Sequence, residues 1–344
     1  MNSRRTFIKT AAATSVGATI GASAAQPETS PEIMTPDALR EQLVTCLGGP
    51  WPEPCELNPQ LRETIQKDGY KIESLTYEVE HDDRVPALLL IPDGVDAQNP
   101  APAIAIWHQH NGQYHLGKNE PAGLAGNEMH HTGVALAKEG YVVLCPDALA
   151  FEERQDTTGK LKGGSFERFE FLRYVVNGQS MAWKNILDMR RAIDFLESRP
   201  EVDAEHLGCY GHSMGSTHTW LVGPHEPRLK ALVGNCCLPT YSAIHDHHLL
   251  HCFPNFVPGW LEYGDTPEMA GLIAPRALHL NLGENDGGSP IEHAREGIKR
   301  IEEAYLEADA PDQFSYFIEE DTGHVLSERM WNLTREFFKK HLQA

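Results

Sequence analysis

Positive charge and long apolar runs are both scarce in this 344-residue chain. Lysine and arginine together number 29 against 49 aspartates and glutamates, a formal charge of −20. The basic footprint that holds nucleic acid or anionic lipid is therefore missing. No apolar run reaches the roughly 18 to 20 residues that a membrane-crossing helix needs, which argues against a membrane anchor. Internal repeats, coiled-coil heptads and low-complexity tracts are absent too, so solenoids and fibrous assemblies are excluded. What remains is 41% hydrophobic and 23% charged. That is enough for a sizeable core, in a length that fits one large α/β domain with insertions acting on a neutral substrate.

The start of the chain reads as an address. Arg4 and Arg5 precede Phe7, Ile8 and Lys9, and residues 11–25 are small and uncharged. The pattern predicts a twin-arginine export signal cleaved near Ala24 or Ala25, hence a periplasmic or secreted protein. Residues 26–70 are expected to form an arm with one or two short helices, and 71–344 the main domain. In an oxidising compartment Cys46 and Cys55 are the best disulfide pair, because the intervening Gly48-Gly49-Pro50 and prolines can fold the segment back. Cys145, Cys209 and Cys236 interrupt apolar runs and read as buried core residues, with a vicinal Cys236–Cys237 bridge the weaker alternative.

From residue 71 onward, short apolar runs bounded by turn residues mark eight strands, at 72–79, 85–91, 103–107, 141–145, 206–210, 231–234, 277–282 and 314–318. Helical patterns fall at 127–138, 182–198, 213–222, 291–306 and 327–342. Such alternation predicts a mostly parallel eight-stranded sheet with helices on both faces and ligands at the carboxyl ends of the strands. Two stretches without strands, 151–180 and 238–275, read as lid-like insertions.

The chemistry centres on Gly211-His212-Ser213-Met214-Gly215, a G-x-S-x-G with a strand before it and a helix after it. The glycines allow a turn so tight that Ser213 is left exposed at the helix start as a nucleophile. Serine needs a base and an orienting acid, which follow in the order Ser, Asp or Glu, His. His324 stands between the last strand and the last helix, the best placed of the 18 histidines. For the acid, Glu284 and Asp286 both follow the seventh strand, and Asp286 is favoured because it has more loop in which to turn back. Backbone N–H groups of Met214 and of the 108–112 loop, His110 first and Gln109 in reserve, would form the oxyanion hole. The cluster His245, His247, His248 and His251 invites a metal reading, since His247 and His251 would share one face of a helix. No glutamate lies between them to act as base, so a lid or a substrate contact is the preferred reading, with neither metal nor cofactor expected.

These residues resemble the α/β-hydrolase superfamily, in particular its dienelactone hydrolase-like and acetyl xylan esterase-like members. The similarity runs from about Arg84 to the end. It rests on the His108 to Gly112 loop, Pro146-Asp147 followed by Phe151-Glu152-Glu153-Arg154, the elbow, Ile273-Ala274-Pro275-Arg276 and Gly323-His324. The resemblance implies a Ser213–Asp286–His324 triad, an oxyanion hole at Met214 and His110, and hydrolysis of carboxylic esters, those of carbohydrates included. Two positions depart from the pattern: dienelactone hydrolases carry Cys where Ser213 stands, and sugar-deacetylating esterases carry Gln where Met214 stands. A peptidase or amidase using the same triad, and an inactive binding protein, are the alternatives. The complete triad in its expected order speaks against the second.

Overall fold

In the computed structural model residues 34–343 are described, so the export signal and the first part of the arm lie outside the described residues. In chain order the elements are α1 (Pro36–Leu47), β1 (Gln60–Gln66), β2 (Tyr70–Glu80), β3 (Asp83–Pro92), β4 (Ala101–Trp107), α2 (Thr132–Lys138), β5 (Val142–Pro146), α3 (Gly164–Val176), α4 (Met181–Glu197), β6 (Val202–His212), α5 (Met214–Val222), β7 (Leu229–Asn235), α6 (Tyr241–His247), α7 (Thr266–Gly271), β8 (Ala277–Gly283), α8 (Ile291–Glu307), β9 (Phe314–Glu319) and α9 (Glu328–Leu342). None of these helices is long and apolar enough to cross a membrane.

The strands form one sheet in the order β1-β2-β3-β5-β4-β6-β7-β8-β9. Pairing is antiparallel from β1 through β3 to β5 and parallel from β5 onward. Period-two alternation splits the side chains between two cores. On β3 and β4, Val85, Ala87, Leu89, Ala103, Ala105 and Trp107 face one core, and Leu88, Leu90, Ile104 and Ile106 face the other. α4, α5 and α8 cover the first face, and α2 and α9 the second. This is the α/β-hydrolase fold, with the parallel strands β4, β5, β7 and β8 buried on both sides.

Among the described residues nine strands stand where the apolar pattern predicts eight. β1 escaped that pattern because Gln60, Arg62, Glu63, Thr64 and Gln66 are all exposed and only Ile65 is partly buried. It is held as an edge strand by its antiparallel ladder to β2 and by the Arg62–Glu153 ion pair. The arm thus contributes both a helix and a strand of the sheet. The expected Cys46–Cys55 bridge is not present, and all seven cysteines are free thiols. The chain between the two is otherwise engaged, with Trp51 Nε1 donating to the Trp183 carbonyl at 2.9 Å and Trp183 Nε1 to that of Gly49 at 2.9 Å.

Candidate active site

Four loops at the carboxyl ends of β4, β6, β8 and β9 converge. At the β6–α5 turn Ser213 takes φ 59° and ψ −117°, outside the ordinary regions for a residue with a side chain. Close packing holds it there. A Cβ on Gly211 would overlap the Gly215 carbonyl, and one on Gly215 would overlap the carbonyl of Trp107 at the end of β4. The second clash shows why glycine is required: α5 starts in contact with the backbone that leads into the 108–112 loop. The N–H groups of Met214 and His110 find no acceptor among the described residues.

The serine hydroxyl lies 2.8 Å from His324 Nε2, and His324 Nδ1 lies 2.8 Å from Asp286 Oδ2. Asp286 is 4% exposed, and its Oδ1 accepts the Gly288 N–H at 2.9 Å. The loops carrying the two residues are joined: Asn285 N–H donates to the Thr322 carbonyl at 2.8 Å, and a Cβ on Gly283 would overlap the carbonyls of Thr322 and Gly323. Glu284 turns the other way, to Arg295 at 2.9 Å. A serine, an imidazole and a buried carboxylate in this series can deprotonate the hydroxyl and stabilise the imidazolium that results.

Residues 86–244 match the Dienelactone hydrolase family model. The similarity to that family covers the segment that holds the serine elbow. It is 29% identical over 275 residues, 76% of this chain and 84% of the relative, to "Putative hydrolase YtaP" of Bacillus subtilis (strain 168). A "putative acetyl xylan esterase" of Bacteroides fragilis NCTC 9343 shares its fold with TM-score 0.67 and 16% identity over 89% of this chain and 82% of that one. The glucuronoyl esterase from Solibacter usitatus does so with TM-score 0.63 and 17% identity over 87% and 91%. These likenesses are to hydrolases, and over residues 86–244 to the dienelactone hydrolase family. The matched domain holds Ser213, Met214 and His110, whereas Asp286 and His324 lie beyond it on β8 and β9 loops that complete the same sheet.

Around the Ser213 elbow, several residues play parts that sequence reasoning missed. His212 is buried between two other rings, His130 at 4.5 Å and His324 at 5.2 Å between centroids. Burial holds His212 well below the ordinary histidine range, so a neutral ring backs the His324 imidazole. No short-range pattern links His130 to a residue 82 positions away. The 245–251 cluster does not form the helical pair that a metal reading would need. α6 ends at His247, and His248 takes the left-handed conformation with φ 54°, so His251 leaves the helix altogether. Its Nε2 donates to the Gly288 carbonyl at 3.2 Å, and its Nδ1 accepts from Asn255 at 2.5 Å. His251 therefore supports the Asp286 loop. Among the described residues Asp147, Glu152 and Glu153 could offer ligand atoms to a metal. They instead surround the Lys118 ammonium, 2.7 Å from Asp147 and 2.8 Å from Glu153, which supplies the compensating cation.

Buried neutral histidines also set a pH dependence. Burial pushes His108 down to about 4 and His218 down to about 3 from an ordinary 6.5. In the unfolded chain both protonate near 6.5, so below that pH the unfolded state binds more protons than the folded one. Their contribution is complete above about pH 6.5 and is lost as pH falls through 6.5 toward 4. The urea midpoint is expected to be lower at about pH 5 than at about pH 7.5. An unchanged or higher midpoint at the lower pH would contradict this.

Proposed function

We propose that the protein is an exported serine hydrolase that cleaves carboxylic esters through an acyl-enzyme, with Ser213 as nucleophile, His324 as general base and then acid, and Asp286 as its orienting partner. One observation carries the reading. The Ser213 hydroxyl lies 2.8 Å from His324 Nε2 while His324 Nδ1 lies 2.8 Å from Asp286, and the serine sits on a strained turn at a helix start. In the first step His324 takes the serine proton as Oγ attacks the ester carbonyl. The oxyanion is received by the N–H groups of Met214 and His110, and the alcohol leaves with the proton from His324. Water then repeats the sequence and frees the acid. The twin-arginine segment supports export. The acetyl xylan and glucuronoyl ester named for the two structural neighbours support an ester borne by a carbohydrate.

The test is a substrate panel of short-acyl aryl esters, acetylated xylan, methyl glucuronates and peptide amides, run with and without a metal chelator. Turnover of esters above amides, equal in both conditions, is expected, because the triad generates its nucleophile without a Lewis acid. Amide cleavage alone would favour a peptidase, and a rate lost to chelator and restored by zinc would overturn the proposed chemistry.

A further inference from the structure

Both ring nitrogens of His110 are committed, and to different parts of the chain. Nδ1 accepts the Gly112 N–H at 3.0 Å, so the ring proton resides on Nε2. That N–H points at the Glu167 carboxylate, with the two oxygens at 3.0 and 3.1 Å. Glu167 belongs to α3, in the 151–180 insertion, and is 2% exposed. Its Oε2 also accepts the Tyr114 hydroxyl at 2.6 Å, and burial together with this carboxylate pushes the Tyr114 phenol upward, which keeps it a donor. Phe151 closes the cluster, edge-on to His110 at 5.1 Å and stacked on Tyr114 at 4.9 Å. A carboxylate removed from water is costly unless its lone pairs are satisfied, and here imidazole and phenol satisfy them together.

The turn after His110 passes through the left-handed region, with Asn111 at φ 40° and Gly112 at φ 65°, so the backbone on that side of His110 is a loop whose place depends on what its side chains grip. An oxyanion donor works only within a few tenths of an ångström of its place, and a shift of about 1 Å costs on the order of a hundredfold in rate.

We propose that Glu167 is a positioning residue: by gripping the His110 ring from α3, it holds the His110 N–H where the oxyanion forms and so makes the reactivity of Ser213 depend on the insertion. This rests on the ester-hydrolase reading above. Glu167 need not touch the substrate. Its effect therefore belongs to the transition state, in kcat and not in KM.

The experiment measures kcat and KM on one short-acyl aryl ester for the full chain and for Glu167→Ala, His110→Ala, the double variant, Glu167→Gln and Ser213→Ala, each checked for native circular dichroism and thermal unfolding. Glu167→Ala is expected to lose about a hundredfold in kcat with KM within about threefold of the parent. His110→Ala keeps its backbone N–H but loses the anchor, and should show the same loss. The double variant should be no worse than either, because both changes break one linkage. Glu167→Gln should recover most of the rate, since its amide oxygen still accepts the Nε2 proton. A parental kcat in Glu167→Ala, a loss confined to KM, or additive losses in the double variant would each overturn the proposal. If Glu167→Ala does not fold, His110→Ala decides, and an undiminished kcat there overturns it. Failure of the underlying reading looks different: a Ser213→Ala enzyme that keeps its rate removes both claims, whereas an inactive Ser213→Ala beside an unimpaired Glu167→Ala removes only the positioning role.

Discussion

Ser213→Ala is expected to lower kcat by on the order of 10⁴-fold or more while the protein folds as before, because removal of the nucleophile leaves only the oxyanion donors and substrate binding to act. Folding should survive because alanine meets the same backbone strain at φ 59° as serine does, and the packing that imposes the turn resides in Gly211 and Gly215. The lost hydroxyl makes one hydrogen bond, to an imidazole that is itself 40% exposed at the side chain, so water can replace it. The parent enzyme should be labelled at Ser213 by a fluorophosphonate, and the alanine variant should not be labelled. Labelling at another residue, or undiminished turnover, would end the nucleophile assignment.

The second large effect divides two carboxylates only two positions apart. Asp286→Asn should cost about 10⁴-fold in kcat. The amide NH₂ would face His324 Nδ1 across the present 2.8 Å and require that nitrogen to accept. The ring proton would then sit on Nε2, which could no longer take one from Ser213. The other oxygen need not move, as it already accepts the Gly288 N–H, so the variant should remain folded. Glu284→Gln should change kcat by no more than a few-fold. Its partner Arg295 is half exposed, and a solvent-facing pair of that kind contributes about 0 to 1 kcal/mol. The two single variants, assayed on one ester near neutral pH, decide the matter. An inactive Glu284→Gln beside an active Asp286→Asn would reverse the roles.

What was legible in the sequence follows from where the information lies. β2 through β9 are visible because burial on one or both faces writes itself as apolar runs, and turn residues mark where each run ends. β1 has no buried face to write, so only its ladder to β2 reveals it. Ser213, Asp286 and His324 stand out because each occupies a loop at the end of a strand in a fixed chain order. The Glu167–His110 contact spans 57 positions and the His130–His212 ring contact 82, and nothing local in α3 or in the turn before α2 distinguishes those residues from solvated polar ones. The missing Cys46–Cys55 bridge has a similar cause. The turn-rich spacer was read as free to close, whereas its tryptophan is anchored against α4.

The edge strand that hydrophobic patterning overlooks has a consequence for how the molecule meets its own copies. β2, beneath it, is mostly buried and carries Tyr70, Ile72, Leu75, Tyr77 and Val79. Left as the outermost strand it would offer other chains a long apolar edge with unpaired backbone groups, the template from which aggregates grow. β1 occupies that ladder and turns outward glutamine, arginine, glutamate and threonine, with Leu61 the one large apolar side chain exposed among them. The least hydrophobic strand of the sheet is thus the one that guards its solubility.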